Sequence, residues 1–309
     1  MDLPNKMKAT QILVEDHLKA KHLYQKFLEA EDTNDRASLA EELCKELEIH
    51  ARLEECLFYP ELAKELPDNA LLMHFGQQHG EVKRLISEWR LGQEEKGAAM
   101  TGEQMLLARL MTVVQEHVAE EEDRALSILE ADPDRDEALG AALAKLKLKL
   151  KMFPPIHRRI ELEVPVRVAY NQWTQFEAFP HFLDNVKEVR QLDEAHVQWQ
   201  VEVAGKELQW VAEIYEQIPD QRIAWTSVGG SPNAGSVTFR PLSPTRTCML
   251  VEIAYEPQGI LEDLGAMMGF LSRRLETELE KFKAYLEAHA RETGAWRGTI
   301  EGNPIEPQL

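Results

Sequence analysis

Residues 50–60 read HARLEECLFYP, and residues 117–127 read HVAEEEDRALS. Each stretch gives a histidine, three residues, then two acids: His50 with Glu54 and Glu55, His117 with Glu121 and Glu122. Side chains at i and i+4 share one helix face, so each stretch, as a helix, aims an imidazole and a carboxylate the same way. The setting has helical period. Leu43, Leu47, Leu53 and Leu57 stand three and seven residues from His50, and Leu110, Val113 and Val114 precede His117. A histidine on such an apolar stripe faces the interior of a helical bundle.

Two more histidines follow the same rule. His17 has Leu13, Val14 and Tyr24 around it, and His79 has Phe75, Val82 and Ile86. Both are followed at i+4 by lysine, Lys21 and Lys83. The chain thus alternates a His-x-x-x-Lys helix with a His-x-x-x-Glu-Glu helix, twice. His22 lies five residues from His17, about 140° round a regular helix, and should point elsewhere. The same spacing separates His74 from His79, and His74 has polar neighbours (Gln77, Gln78, Glu81). His79 is therefore expected inward and His74 in water. A π-bulge at Gly76 would overturn this by bringing i and i+5 onto one face, making His74 a further ligand. Four inward imidazoles with the Glu54 and Glu121 carboxylates form a costly interior unless a cation joins them. This donor set suits iron, zinc or manganese, with a carboxylate able to bridge two ions. The bland alternative is a metal-free network neutralised by Lys21 and Lys83.

The helical pattern covers about 10–29, a stretch ending at 59 before Pro60, 68–91, and a segment opened by a Thr101-x-x-Gln104 capping box. Short connections imply antiparallel neighbours, hence an all-α, four-helix, up-down bundle over 1–152. A fifth helix, about 134–151, leads onward. At KMFPPIHRR the character changes, since Pro154-Pro155 cannot continue a helix. After it, alternation replaces helical period. A strand near 157–164 leads to Pro165, placed as a first helical residue, and to two short helices. Val197, Trp199, Val201 and Val203 share one strand face; Leu208, Trp210, Ala212 and Ile214 share another. Further strands follow at hairpin spacing, then a long helix over 259–289. The fold class is multidomain: the bundle, then an α+β helix-grip domain over 153–290, a curved antiparallel sheet around a long helix. A Gly/Pro-rich tail, 291–309, is expected to dock through Trp296. His181 and His196 are lone histidines with structural or solvent-facing roles.

Residues 10–130 resemble the hemerythrin-like (HHE cation-binding) domain, through His17, HARLEECLFYP, QQHGEVKRLISEW and QEHVAEEEDR. The resemblance implies a pair of non-haem iron ions, oxo- or carboxylate-bridged. It makes His17, His50, His79 and His117 ligands and Glu54 and Glu121 bridges, with Glu122 the alternative to Glu121. Oxygen-carrying members place a histidine four residues before His79, where this chain has Phe75, which tells against reversible oxygen carriage more than against iron.

Residues 157–289 resemble the SRPBCC (START-like, polyketide cyclase/dehydrase) superfamily, through AYNQWTQFEAFPHFLDNVKEVRQLD and AWTSVGG with AGSVTFRPL. Members bind hydrophobic ligands between sheet and helix. Trp199, Trp210, Trp225, Phe239, Met267 and Met268 are the candidate cavity lining; their bland reading is core.

Thirty-five basic against 54 acidic residues leave a net charge of −19, which opposes phosphate-backbone binding. Three scattered cysteines without a CxxC pair fit a reducing compartment. The first 20 residues lack a signal-peptide apolar stretch, and no run approaches the roughly 20 apolar residues of a membrane span. The expectation is a cytoplasmic protein without stable membrane insertion or nucleic-acid partner. Four functions compete: a sensor or binder of oxygen, nitric oxide or peroxide with an apolar small molecule or lipid in its second domain; a di-iron oxidoreductase acting on that molecule; an iron storage or repair protein; and a metal-free interaction protein. There is no nucleophile–base pair to name a reaction.

Overall fold

The computed structural model describes residues 7–92, 100–203, 205–230, 233–255, 264–289 and 292–302. Two compact units divide between Pro154 and Pro155. In the first, helices Ala9–Glu29, Thr33–Leu53, Ala70–Gly92 and Met100–Glu121 realise the apolar stripes. Asp32 caps the second helix, accepting from the amides of Asn34 and Asp35 at 2.8 and 3.1 Å. The histidines lie between two apolar layers. One holds Leu13, Leu53, Phe75 and Ala125; the other holds Ala20, Leu47, Val82 and Val114. Along every helix the histidine separates a member of one layer from a member of the other. The Thr101 cap and most of the loop before it lie outside the described side chains.

The second and fourth helices do not continue as regular α-helix beyond the glutamates. Each passes through a π-helical turn, Glu54–Phe58 and Glu122–Leu126, then resumes as Tyr59–Leu62 and Ser127–Glu130. Pro60 therefore does not stop the second helix. It stands at the start of a fresh α segment, where its missing N–H removes no intrahelical bond. The third helix is α-helical throughout, Gly76 included, so the π-turn conceived there occurs elsewhere.

The fifth helix, Pro133–Met152, belongs to this unit. Asp136, fully buried, accepts from the Thr10 amide at 3.0 Å and the Thr10 hydroxyl at 2.9 Å. Lys147 pairs with Asp16, and Leu139, Leu143 and Leu150 complete the first apolar layer.

The second unit is a curled antiparallel sheet with a long helix. Its strands are β1 Ile156–Leu162, β2 Val186–Gln191, β3 His196–Val203, β4 Lys206–Ile218, β5 Arg222–Gly230, β6 Asn233–Ser243, β7 Arg246–Tyr255 and β8 Ile300–Glu301. The order is β1-β7-β6-β5-β4-β3-β2, with β8 added to β4. Register shifts between β4 and β5 bend the sheet. Helix Val166–Trp173 and the 3₁₀ turn Phe176–His181 join β1 to β2; Pro165 caps that helix and is not its first residue. Helix Leu264–His289 buries Leu279, Phe282 and Leu286 in the core. Its expected start at 259 lies outside the described residues. Gly235 is required by a close approach: a Cβ there would stand 2.5 Å from the Trp225 ring and 2.6 Å from the Glu252 carbonyl. The tail returns to its unit. Trp296 donates its amide to Thr174 Oγ1 at 3.2 Å, and β8 pairs with Glu216 and Gln217.

Candidate metal centre and apolar cavity

The bundle brings His17, His50, His79, His117, Glu54 and Glu121 into one buried cluster, none more than 7% exposed. Their ligand atoms form two groups: His17, His50, Glu54 and Glu121, and Glu54, His79 and His117. Glu54 is common to both; Glu121 belongs to the first. The Nε2 atoms of His17 and His50 are 3.1 Å apart, and those of His79 and His117 are 3.2 Å apart. Glu54 Oε1 lies 2.9 Å from His50 Nε2, and Glu54 Oε2 lies 3.1 Å from His79 Nε2 and 3.6 Å from His117 Nε2. Donors held about 2.1 Å from one ion stand roughly 3.0 Å apart in octahedral and 3.4 Å apart in tetrahedral arrangement. The observed separations fall in and around that range.

The outer ring nitrogens face away from the cluster. His17 Nδ1 meets Glu122 Oε1 at 2.8 Å, His79 Nδ1 meets Glu55 Oε1 at 2.9 Å, and His117 Nδ1 meets Gln78 Oε1 at 2.8 Å. His50 Nδ1 faces Asp16 at 3.8 Å, too long for a hydrogen bond. An Nδ1–H donated outward leaves the Nε2 lone pair directed at the centre, the arrangement metal-binding histidines adopt. Glu122, half exposed, thus stands outside the cluster and Glu121 within it. His74 is on the surface, paired with Glu120 at 2.9 Å. Lys83 reaches Glu55, with Nζ 2.6 and 2.8 Å from its oxygens, so this lysine neutralises the outer carboxylate.

Sequence reasoning passed over two buried groups. Glu55 is one. The other is Tyr59, fully buried, with Oη 3.1 Å from Glu54 Oε2 and 3.2 Å from His79 Nε2. The π-turn explains its position, because the Tyr59 amide bonds to the Glu54 carbonyl and i and i+5 share a face. In a regular helix the two would stand about 140° apart.

The charges call for a cation. Both oxygens of Glu121 are buried without a hydrogen-bond partner, and Glu54 Oε1 has the His50 ring nitrogen beside it at 2.9 Å. Burial alone would lower His50, but the Glu54 charge, helped by Asp16 and Glu121, carries it up to about 10. Burial likewise acts against His79, which Glu54 and Glu55 raise to about 9. Burial works against the Glu54 carboxylate, yet His50 foremost, then His117 and His79, hold it well below the usual range. Burial and the Glu54 charge together push Glu121 up. Unpaired buried carboxylates are expensive, and an ion among these donors would remove the cost. The residues present fit a metal.

The second unit contains a cavity of about 270 Å³ between sheet and long helix. Trp199, Trp210 and Trp225 line it, with Phe176, Phe179 and Leu275 among others. Trp199 and Trp210, paired across β3 and β4, stack with centroids 6.0 Å apart and planes at 7°. Trp225 Nε1 donates to Asn233 Oδ1 at 3.2 Å. Phe239 is not a lining residue. It packs edge-on against Tyr170 in the core, 5.6 Å between centroids. The side chains of Met267 and Met268 lie outside the described set. Trp173, Val186 and Leu208 also line the wall; strand alternation implied the last.

A helical bundle with a buried His/Glu centre, followed by a helix-grip domain with an apolar cavity, defines a two-domain class of protein. Residues 8–129 match the hemerythrin HHE cation-binding domain and residues 162–283 match the polyketide cyclase/dehydrase and lipid transport family. The first domain is thus of the hemerythrin HHE kind and the second of the polyketide cyclase/dehydrase kind. An uncharacterized 17.2 kDa protein of Streptomyces lincolnensis is 42% identical over 146 residues, 47% of this chain and 97% of that protein. A START superfamily protein of Mycobacterium smegmatis is 17% identical, with a TM-score of 0.38, over 43% of this chain and 98% of its own. The Zhui aromatase/cyclase of Streptomyces sp. R1128 is 14% identical, with a TM-score of 0.40, over 47% of this chain and 99% of its own. No helix among the described residues is long and apolar enough to cross a membrane.

Proposed function

We propose that the bundle holds two non-haem iron ions and takes up oxygen, nitric oxide or peroxide, while the second domain holds an uncharged apolar molecule. The carrying observation is the convergence of four Nε2 atoms on the buried Glu54 and Glu121 carboxylates, with both Glu121 oxygens lacking a hydrogen-bond partner. Glu54, common to both donor groups, supports two ions, and the imidazole–carboxylate set with the hemerythrin HHE match supports iron. Iron, held by these histidines and glutamates, would supply reversible one-electron chemistry and Lewis acidity toward a small ligand. The chain supplies the rest: Glu122, Glu55 and Gln78 orient imidazoles, and the two apolar layers exclude bulk water. A cavity of about 20 Å³ lies against all four histidines and Ala20, Val82 and Val114. That space suits one water-sized or diatomic molecule and favours a small ligand over an organic substrate. Cys44, Cys56 and Cys248 form no disulfide among the described residues, which supports a reducing, cytoplasmic setting.

In the second domain Glu278 is the only ionisable residue among the described lining residues. Its carboxylate already accepts from the Asp184 amide at 3.0 Å and lies 3.3 Å from both Arg274 and Lys281. Among the described lining residues there is no cation to receive an anionic headgroup, which favours a neutral ligand.

Protein purified from iron-replete cells should contain two irons per chain and change its absorbance with air, nitric oxide or peroxide after reduction. Glu54→Ala and His117→Ala should lose iron and melt earlier, because metal binding is coupled to folding. Iron-free protein, with both variants melting like the wild type, would sink the metal reading. Tryptophan fluorescence titrated with neutral aromatics and with fatty-acid anions tests the cavity; equal or better binding of the anions would overturn its assignment.

A further inference from the structure

The two donor groups are unequal. The first has four side chains, His17, His50, Glu54 and Glu121; the second has three, Glu54, His79 and His117. Tyr59 Oη stands against the shorter group, 3.1 Å from Glu54 Oε2 and 3.2 Å from His79 Nε2. With the pairs among Glu54, His79 and His117, these separations run from 3.1 to 3.6 Å. These five separations match those of donors around one ion. The hydroxyl has a single proton. Oη donates it to Glu54 Oε2, which leaves an oxygen lone pair turned toward His79 Nε2, into the second donor group.

The chain builds this position deliberately. The π-turn at Glu54–Phe58 turns residue i+5 onto the Glu54 face, and the Tyr59 ring stacks on Phe75 at 5.7 Å and on His79 at 5.5 Å. Phe75 packs edge-on against His117 at 5.3 Å, which fixes both rings. The repeat supplies the control. Nine residues after His50 the chain has Tyr59; nine after His117 it has Leu126, buried and without a donor atom.

We propose that Tyr59 is a phenolate ligand of the second ion, completing the donor set of Glu54, His79 and His117. It rests on the metal reading above. Binding displaces the phenolic proton, which leaves to solvent as metal-bound ligands generally require. The pair of sites is then chemically distinct, one with an added carboxylate and one with a phenolate.

The test is spectroscopic, on the full chain loaded with ferric iron. A ferric phenolate gives a visible charge-transfer band and resonance-enhanced ring vibrations. The wild type should show both, the vibrations should shift when tyrosine is ring-deuterated, and Tyr59→Phe should lose them while folding normally. Ferric protein with two irons per chain but no tyrosine-dependent vibrations overturns the assignment and leaves the metal reading standing. Vibrations that persist in Tyr59→Phe overturn it too, and no bound iron at all sinks both.

Discussion

Each imidazole of the centre has two nitrogens with different tasks. The inward Nε2 offers a lone pair, and the outward Nδ1 decides whether that pair is held in place. Glu55 performs the second task for His79 while Lys83 balances its charge. Glu55→Gln keeps the shape and removes the charge, so metal affinity should fall about 10-fold or more, as losses of such outer partners do. Competition with a chromogenic chelator measures it, and an unchanged affinity would show that His79 needs no anionic partner. The histidine pair on the third helix is a sharper case. His79→Ala should lose iron, whereas His74→Ala should retain full iron content and an unaltered spectrum, because His74 sits on the surface with Glu120. The four inward histidines and the two inner glutamates were legible in the sequence, since apolar period and i+4 spacing report which way a helical side chain faces. Glu55 and Tyr59 were not. A regular helix turns Glu55 about 100° from Glu54 and Tyr59 about 140° in net angle, and only the π-turn changes that reckoning for Tyr59.

At the scale of elements, the helices were readable and their irregularities were not. Each His-x-x-x-Glu-Glu repeat runs into a π-turn, the first at Glu54 and the second at Glu122. Gly76, the residue that invited such a turn, lies in uninterrupted α-helix; a glycine permits a distortion without requiring it. The fifth helix carries a weak apolar stripe and read as a connector, yet it clamps the start of the first helix through Asp136. That contact joins residues 126 positions apart, which no local pattern reports. Asp136→Ala strands the buried Thr10 amide and should lower the stability of the bundle by about 1–3 kcal/mol. Urea titration followed by circular dichroism reads the loss. A midpoint within error of the wild type would make the clamp energetically idle. On the sheet, Gly235→Ala forces a methyl into the Trp225 ring. Overpacking of that kind costs about 1–3 kcal/mol, and the cavity-wall tryptophan should change its fluorescence with it.

Across the whole chain, the seam at Pro154-Pro155 was legible because two prolines in succession end a helix and the residue period changes on either side. The far boundary was not, because a two-residue strand has no period to read. Residues 292–302 close onto the second unit. The Gly302 amide donates to the Tyr215 carbonyl at 2.6 Å, and the Thr293 amide to Gln172 Oε1, a residue with no exposed surface, at 3.0 Å. Arg297 forks onto Asp220 at 2.7 and 2.9 Å, but both partners are about one-third exposed, and a pair so accessible to solvent contributes little. Counting only the two bonds to buried acceptors, from the Thr293 amide to Gln172 and the Trp296 amide to Thr174, at roughly 1 kcal/mol each, the tail should stabilise this unit by about 2 kcal/mol. A fragment of residues 155–302 should therefore fold alone and melt above a fragment of residues 155–290. Calorimetry of the two fragments decides it. Equal melting temperatures would mean that the tail lies on the unit without stabilising it, and that the helix-grip core ends where the long helix does.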